Sequence, residues 1–193
     1  MKGALSLVQA IPALSLLLYL LLSEPPAIWL LFFSALIFHE WGHLCAFFLL
    51  GICAPTFRLR GVGARLCADR PLLAREEALV ALAGPLFNIL LAVFSLCFLG
   101  DFGFLCAAVH LLFAIGNLLP FGGCDGERLL RLFLLRTLGE RGERITNVFR
   151  VFFLSLFFYL SLFLFFLTGN GLCGILFSVF FLLEPQNSPA DVF

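Results

Sequence analysis

The chain has 193 residues, of which 62% are hydrophobic, 12% charged and 26 are Phe, and its mean hydropathy is +1.10. Soluble chains average about half apolar and about a quarter charged residues, so this one has too little polar material to cover a globule in water. The same composition excludes a disordered protein, a nucleic-acid binder and a disulfide-stapled secreted domain, and leaves an integral membrane protein in which twelve basic and twelve acidic residues cancel.

A spanning helix needs about 20 apolar residues. Six runs are candidates: residues 4–22, 28–50, 78–99, 102–119, 149–167 and 172–183. The first follows Lys2, but it is long for a signal-peptide core, and no small-x-small site stands before Glu24-Pro25-Pro26; it is read as a retained helix. The last is short and crosses only if tilted or extended by its neighbours. The expectation is an all-α integral membrane protein of about six transmembrane helices, forming one membrane-embedded domain over residues 1–193. The seven Cys are odd in number, scattered and without a CxxC pair, which points to packing residues in a reducing setting rather than a disulfide framework or a thiolate zinc site.

Apart from Lys2, before the first run, the basic residues fall into two connections. Arg58, Arg60, Arg65, Arg70 and Arg75 follow the second run, and Arg128, Arg131, Arg136, Arg141, Arg144 and Arg150 follow the fourth. The other three connections hold no Lys or Arg. With alternating crossings every positive charge lands on one face, which the positive-inside rule makes cytoplasmic, together with both termini. Residues 57–66 in the first cytoplasmic loop alternate apolar and basic side chains around a Gly-containing turn, the pattern of a small β-hairpin. Its exposed edge would suit an extended substrate segment, and its charge would equally suit anionic headgroups.

The second run carries His39-Glu40-Trp41-Gly42-His43 in the middle of a hydrocarbon-length segment. An ionisable side chain at the bilayer centre costs up to about 3 kcal/mol, so three together mark a functional site. Residues i and i+4 share a helical face, so His39 and His43 can grip one metal ion, with Glu40 about 100° round the helix and placed to act on a metal-activated water. Two His do not complete a catalytic zinc site, which takes three protein ligands. His110 and Asp125 are the candidates for the third. His110, alone in an apolar helix, reads more naturally as a hydrogen-bonded packing residue. Asp125 follows a helix end loosened by Gly116, Pro120, Gly122 and Gly123, and irregular backbone at membrane depth belongs where protein or a watery cavity surrounds it.

His39-Glu40-Trp41-Gly42-His43, then Ala83-Gly84-Pro85-Leu86-Phe87-Asn88, then Asn117-Leu118-Leu119-Pro120 through Asp125-Gly126 follow one another in the order found in site-2 proteases. These are intramembrane zinc metalloproteases, and the chain resembles them over roughly residues 28–131. Its compact form looks most like the stage IV sporulation protein FB branch. The resemblance implies one Zn2+ per chain held by His39, His43 and Asp125, with Glu40 as general acid/base. It also implies a membrane-embedded or membrane-associated substrate, such as a pro-sigma factor, an anti-sigma factor or a signal-peptide remnant, cut in a bacterial cell membrane. Asn117 or Asn88 would donate to the oxyanion, and Asn117 is favoured because it abuts the ligand segment. Leu118 stands where some relatives have Pro, and Cys124 brings a competing sulfur beside Asp125. Neither a PDZ insertion nor a nucleotide-sensing domain is expected. A metal-binding membrane protein without enzymatic activity, such as a transporter, is the alternative. It would have no need of Glu40 and would want a polar path across the whole bilayer. An inactive relative that only binds client helices is a further possibility.

His39 lies eleven residues beyond Ile28, about 16 Å into a core of about 30 Å. For Asp125 to reach the same ion, the fourth run must leave its helix near residues 117–120 and fold back.

Overall fold

The computed structural model describes residues 25–52, 56–60, 63–67, 70–120 and 123–168. The first and last apolar runs, residues 4–22 and 172–183, lie outside the described residues. Within them the chain forms α1 (Pro26–Leu49), β1 (Thr56–Arg60), β2 (Gly63–Cys67), α2 (Ala74–Phe98), α3 (Gly100–Leu118), α4 (Asp125–Leu138) and α5 (Glu140–Thr168). Among the described residues four helices, α1, α2, α3 and α5, are long and apolar enough to cross a bilayer, against the six expected. They fall on the runs 28–50, 78–99, 102–119 and 149–167, and they make the chain an integral membrane protein.

The helix starts follow from local chemistry. Pro26 occupies the first position of α1, where its fixed φ suits a helix and its missing N–H leaves nothing unsatisfied. At the start of α2 the Glu76 carboxylate accepts the Leu73 N–H at 2.9 Å and two 2.8 Å hydrogen bonds from the Arg70 guanidinium. The connection rich in Arg after the fourth run contains a helix that the apolar-run count did not foresee. Over residues 125–138 Leu130, Phe133 and Leu134 fall on one side and Arg128 and Arg131 on the other, giving amphipathic α4, and α5 begins at Glu140 rather than at residue 149. β1 and β2 pair antiparallel, from Thr56 opposite Cys67 to Arg60 opposite Gly63.

α2 is the central element and packs against α1 on one side and α3 on the other. Small residues line the contacts: Ala35, Ala81, Ala107 and Ala114 are buried, while Phe98, Phe104 and Leu112 face outward. Lipid tails are as apolar as Leu, so close backbone approach and internal polar contacts, not burial of bulky apolar groups, draw such helices together. The polar residues accordingly lie inside: His39, His43, Asn88, Ser95 and His110 are all buried.

Candidate metal centre

His39 and His43 stand one turn apart on the face of α1 that meets α2, with ring centroids 4.7 Å apart and planes at 90°. Their Nε2 atoms are 3.1 Å from each other. Asp125 arrives from the other end of the sequence. α3 stops at Leu118, Leu119 and Cys124 are extended, and α4 opens on Asp125 itself. Its Oδ2 lies 3.1 Å from Nε2 of His39 and 3.3 Å from Nε2 of His43.

The triangle has the dimensions of a metal site. Zinc–ligand bonds of about 2.0–2.1 Å arranged tetrahedrally set neighbouring donors about 3.3 Å apart. The donor chemistry agrees. His43 Nδ1 is 2.7 Å from the Val80 carbonyl; a carbonyl only accepts, so Nδ1 carries a proton, and in the neutral ring Nε2 is the bare nitrogen that faces the centre. Among the described residues, Asp125 Oδ2 is the buried side-chain atom left without a hydrogen bond, despite its short approach to both rings. Where both rings turn a bare Nε2 inward, lone pairs gathered this closely in a buried place repel one another unless a cation lies between them. The residues fit zinc, and among the described residues they are the group of His, Cys, Asp and Glu that can hold an ion. Cys124 and His110 are not part of that group.

No protein-family model matches the chain, and no curated protein matches it in sequence. Among solved structures it is similar to the Site-2 Protease from Methanocaldococcus jannaschii, with a TM-score of 0.61 and 20% identity, covering 92% of this chain and 86% of that one. The chain has the fold of a site-2 protease.

Within that site-2 protease fold, α2 supplies the wall behind His39 and His43. A Cβ on Gly84 would lie 2.6 Å from His43 Nε2 and 2.8 Å from His39 Cε1, so only glycine lets the two rings lie against the helix. Gly84 thus packs directly against the His39 and His43 rings. Gly126 has a similar part at the other end, where a Cβ would run into the Leu118 carbonyl, and its absence lets α4 close against the end of α3. Arg128 Nε then donates to Glu77 Oε1 at 2.7 Å and holds α4 to α2.

Glu40 follows His39 on α1, half-buried and within electrostatic reach of His39, His43 and Asp125. The two candidate amides lie differently from each other. Asn88 is buried on α2 with its amide against His39 Nδ1 and His110 Nδ1. Asn117 Nδ2 donates at 3.0 Å to the Phe113 carbonyl one turn back in its own helix. Residues that sequence reasoning did not bring to the site are Val80, Glu77 and Arg128. The backbone carbonyl of Val80 leaves no mark in a sequence, and the ion pair is visible only as two charges 51 residues apart.

Proposed function

We propose that the protein is an intramembrane zinc endopeptidase that hydrolyses a peptide bond of a membrane-embedded or membrane-associated protein. The observation that carries the reading is the unbonded Asp125 Oδ2 in a triangle with two imidazoles, one residue from a carboxylate able to move protons. Zinc held by His39, His43 and Asp125 supplies Lewis acidity to the scissile carbonyl and to water. Glu40 takes a proton from the attacking water and returns it to the leaving amide nitrogen. Asn117 has a second amide N–H beyond the one given to Phe113, and in this reading it donates to the oxyanion that develops on the carbonyl. The lipid-facing helices keep bulk water from the centre, so the charges there act in a low dielectric.

The orientation proposed puts the Arg-bearing connections and both termini on the cytoplasmic side of a bacterial cell membrane. The two-stranded sheet leaves each strand an outer edge, to which an unwound substrate segment can add as a third strand. Pro-sigma factors, anti-sigma factors and signal-peptide remnants are substrates of suitable form, the first being what the stage IV sporulation protein FB branch processes. No nucleic acid takes part.

The test is Glu40→Gln in membranes carrying a candidate substrate. The variant is expected to keep its zinc and to lose cleavage by about 10²–10⁴-fold, the usual worth of a positioned acid/base group. Undiminished cleavage by that variant overturns the proposal.

A further inference from the structure

The chain has three His, and the one outside the ligand triangle is tied to it. His110, buried on α3, has its Nδ1 3.1 Å from the Asn88 oxygen, and the Asn88 nitrogen lies 3.4 Å from Nδ1 of His39. Asn88 itself is 0% exposed. A buried amide and a buried imidazole are costly in a membrane-embedded protein unless they are paired, and this pair leads directly to a ligand.

The direction of the hydrogen bonds along this line depends on what His39 does with its other nitrogen. With the amide nitrogen toward His39, Nδ1 of that ring must accept, and the proton sits on Nε2. A neutral ring that gives Nε2 to a cation carries its proton on Nδ1 instead and needs an acceptor there. Asn88 can provide one by turning its amide through half a revolution, which exchanges oxygen and nitrogen in nearly the same volume. The NH2 group then faces His110, which must offer a bare Nδ1 and carry its own proton on Nε2. An apolar ring at that position would strand the NH2. Buried orphan N–H groups are rarer than orphan carbonyls, so the amide would keep its nitrogen on His39 and work against the metal-binding form of the ring.

We propose that His110 is a positioning residue for the metal centre: its Nδ1 accepts from Asn88, which holds the amide oxygen on the Nδ1–H of His39. The inference rests on the zinc reading above. Around His110 the Phe38 ring, 6.2 Å away, adds shape but no hydrogen bond.

Two measurements test it, both on the full chain in detergent or lipid nanodiscs. The first is 15N NMR of the zinc-loaded, histidine-labelled protein, in which three imidazoles report three tautomers. His39 and His43 are expected to be protonated on Nδ1, and His110 on Nε2 with a bare Nδ1; a proton on Nδ1 of His110 overturns the proposal. The second is zinc affinity by chelator competition. His110→Phe is expected to weaken binding about 10–100-fold, as loss of an outer partner of a metal ligand does. In an Asn88→Asp background the acceptor needs no orienting, so adding His110→Phe should change affinity by no more than about twofold, the ordinary error of additivity. Equal losses in both backgrounds, or none in the first, overturn it. The NMR measurement uses the unsubstituted chain and decides the matter even where a variant does not fold. Failure of the unsubstituted chain to bind zinc would sink the protease reading and this inference together; zinc binding with the wrong tautomer at His110 sinks this inference alone.

Discussion

Arg128 Nε donates to Glu77 Oε1 at 2.7 Å, and Arg131 stands 4.0 Å from the same oxygen. Glu77 lies one turn before Val80, whose carbonyl orients His43, and Arg128 lies one turn after Asp125. One ion pair therefore joins the helix that aims the histidine pair to the helix that delivers Asp125. It is half-buried, so it is less screened than a surface pair.

Breaking that pair should loosen the carboxylate without touching any ligand. Arg128→Ala or Glu77→Gln is expected to lower zinc affinity about tenfold, at the low end for outer-shell changes. Chelator competition on each single variant and on the double variant measures it. The double variant should lose little more than either single one, because both remove the same contact.

Gly84 and Gly116 form a contrasting pair. A Cβ at Gly84 would press on His43 Nε2 at 2.6 Å, while a Cβ at Gly116 meets nothing within 4 Å. Gly84→Ala should destabilise the protein by about 1–3 kcal/mol through overpacking and displace the ligand nitrogens, so that zinc is lost as well. Gly116→Ala should be neutral or more stable by about 0.5–1 kcal/mol, since alanine favours a helix interior. Thermal unfolding in detergent, with metal content measured alongside, separates the two outcomes.

Asp125→Asn keeps the shape of the side chain and removes its charge. Zinc at 100 times its dissociation constant stabilises the form that binds it by about 2.7 kcal/mol. The unsubstituted chain should therefore show a rise in Tm on adding zinc, and the variant should show almost none at the same concentration. A chelator should reverse the rise.

Asn117→Ala is expected to leave zinc affinity unchanged, because the amide bonds to Phe113 within its own helix rather than to a ligand. If the amide serves the oxyanion, turnover should fall about 10²–10³-fold with little change in KM. Steady-state cleavage of a labelled transmembrane substrate reads both constants. An unchanged kcat would confine Asn117 to its helical hydrogen bond.

The two amides show where sequence reasoning reached its limit. Proximity in the chain favoured Asn117, eight residues before Asp125, yet the amide that touches a histidine of the triangle is Asn88, 49 residues from His39 in sequence. A signal for Asn88 was available, namely the cost of an amide in the middle of an apolar run, but that cost marks a buried partner without saying which. The same holds for His110: its hydrogen-bonded packing role was readable from its isolation, and its connection through Asn88 to His39 was not. α4 went unforeseen because its arginines were weighed only for the side of the membrane they occupy. The alternation of Leu and Arg over residues 125–138 carried a helical period as well.

Sequence alone determined the membrane class, the four described spanning helices and the facing histidine pair on α1. Composition is a property of the chain irrespective of its folding, and a span or an i, i+4 pair is written within a single helix at a repeat of about 3.6 residues. Tertiary structure alone decided that Asp125 closes the triangle, that Gly84 and Val80 form its wall, and that Glu77 and Arg128 fasten it. Those contacts join segments 37 to 86 residues apart. No local period carries information over such distances; packing of α1, α2 and α4 brings the groups together, and a buried carboxylate oxygen without a hydrogen bond is the trace it leaves.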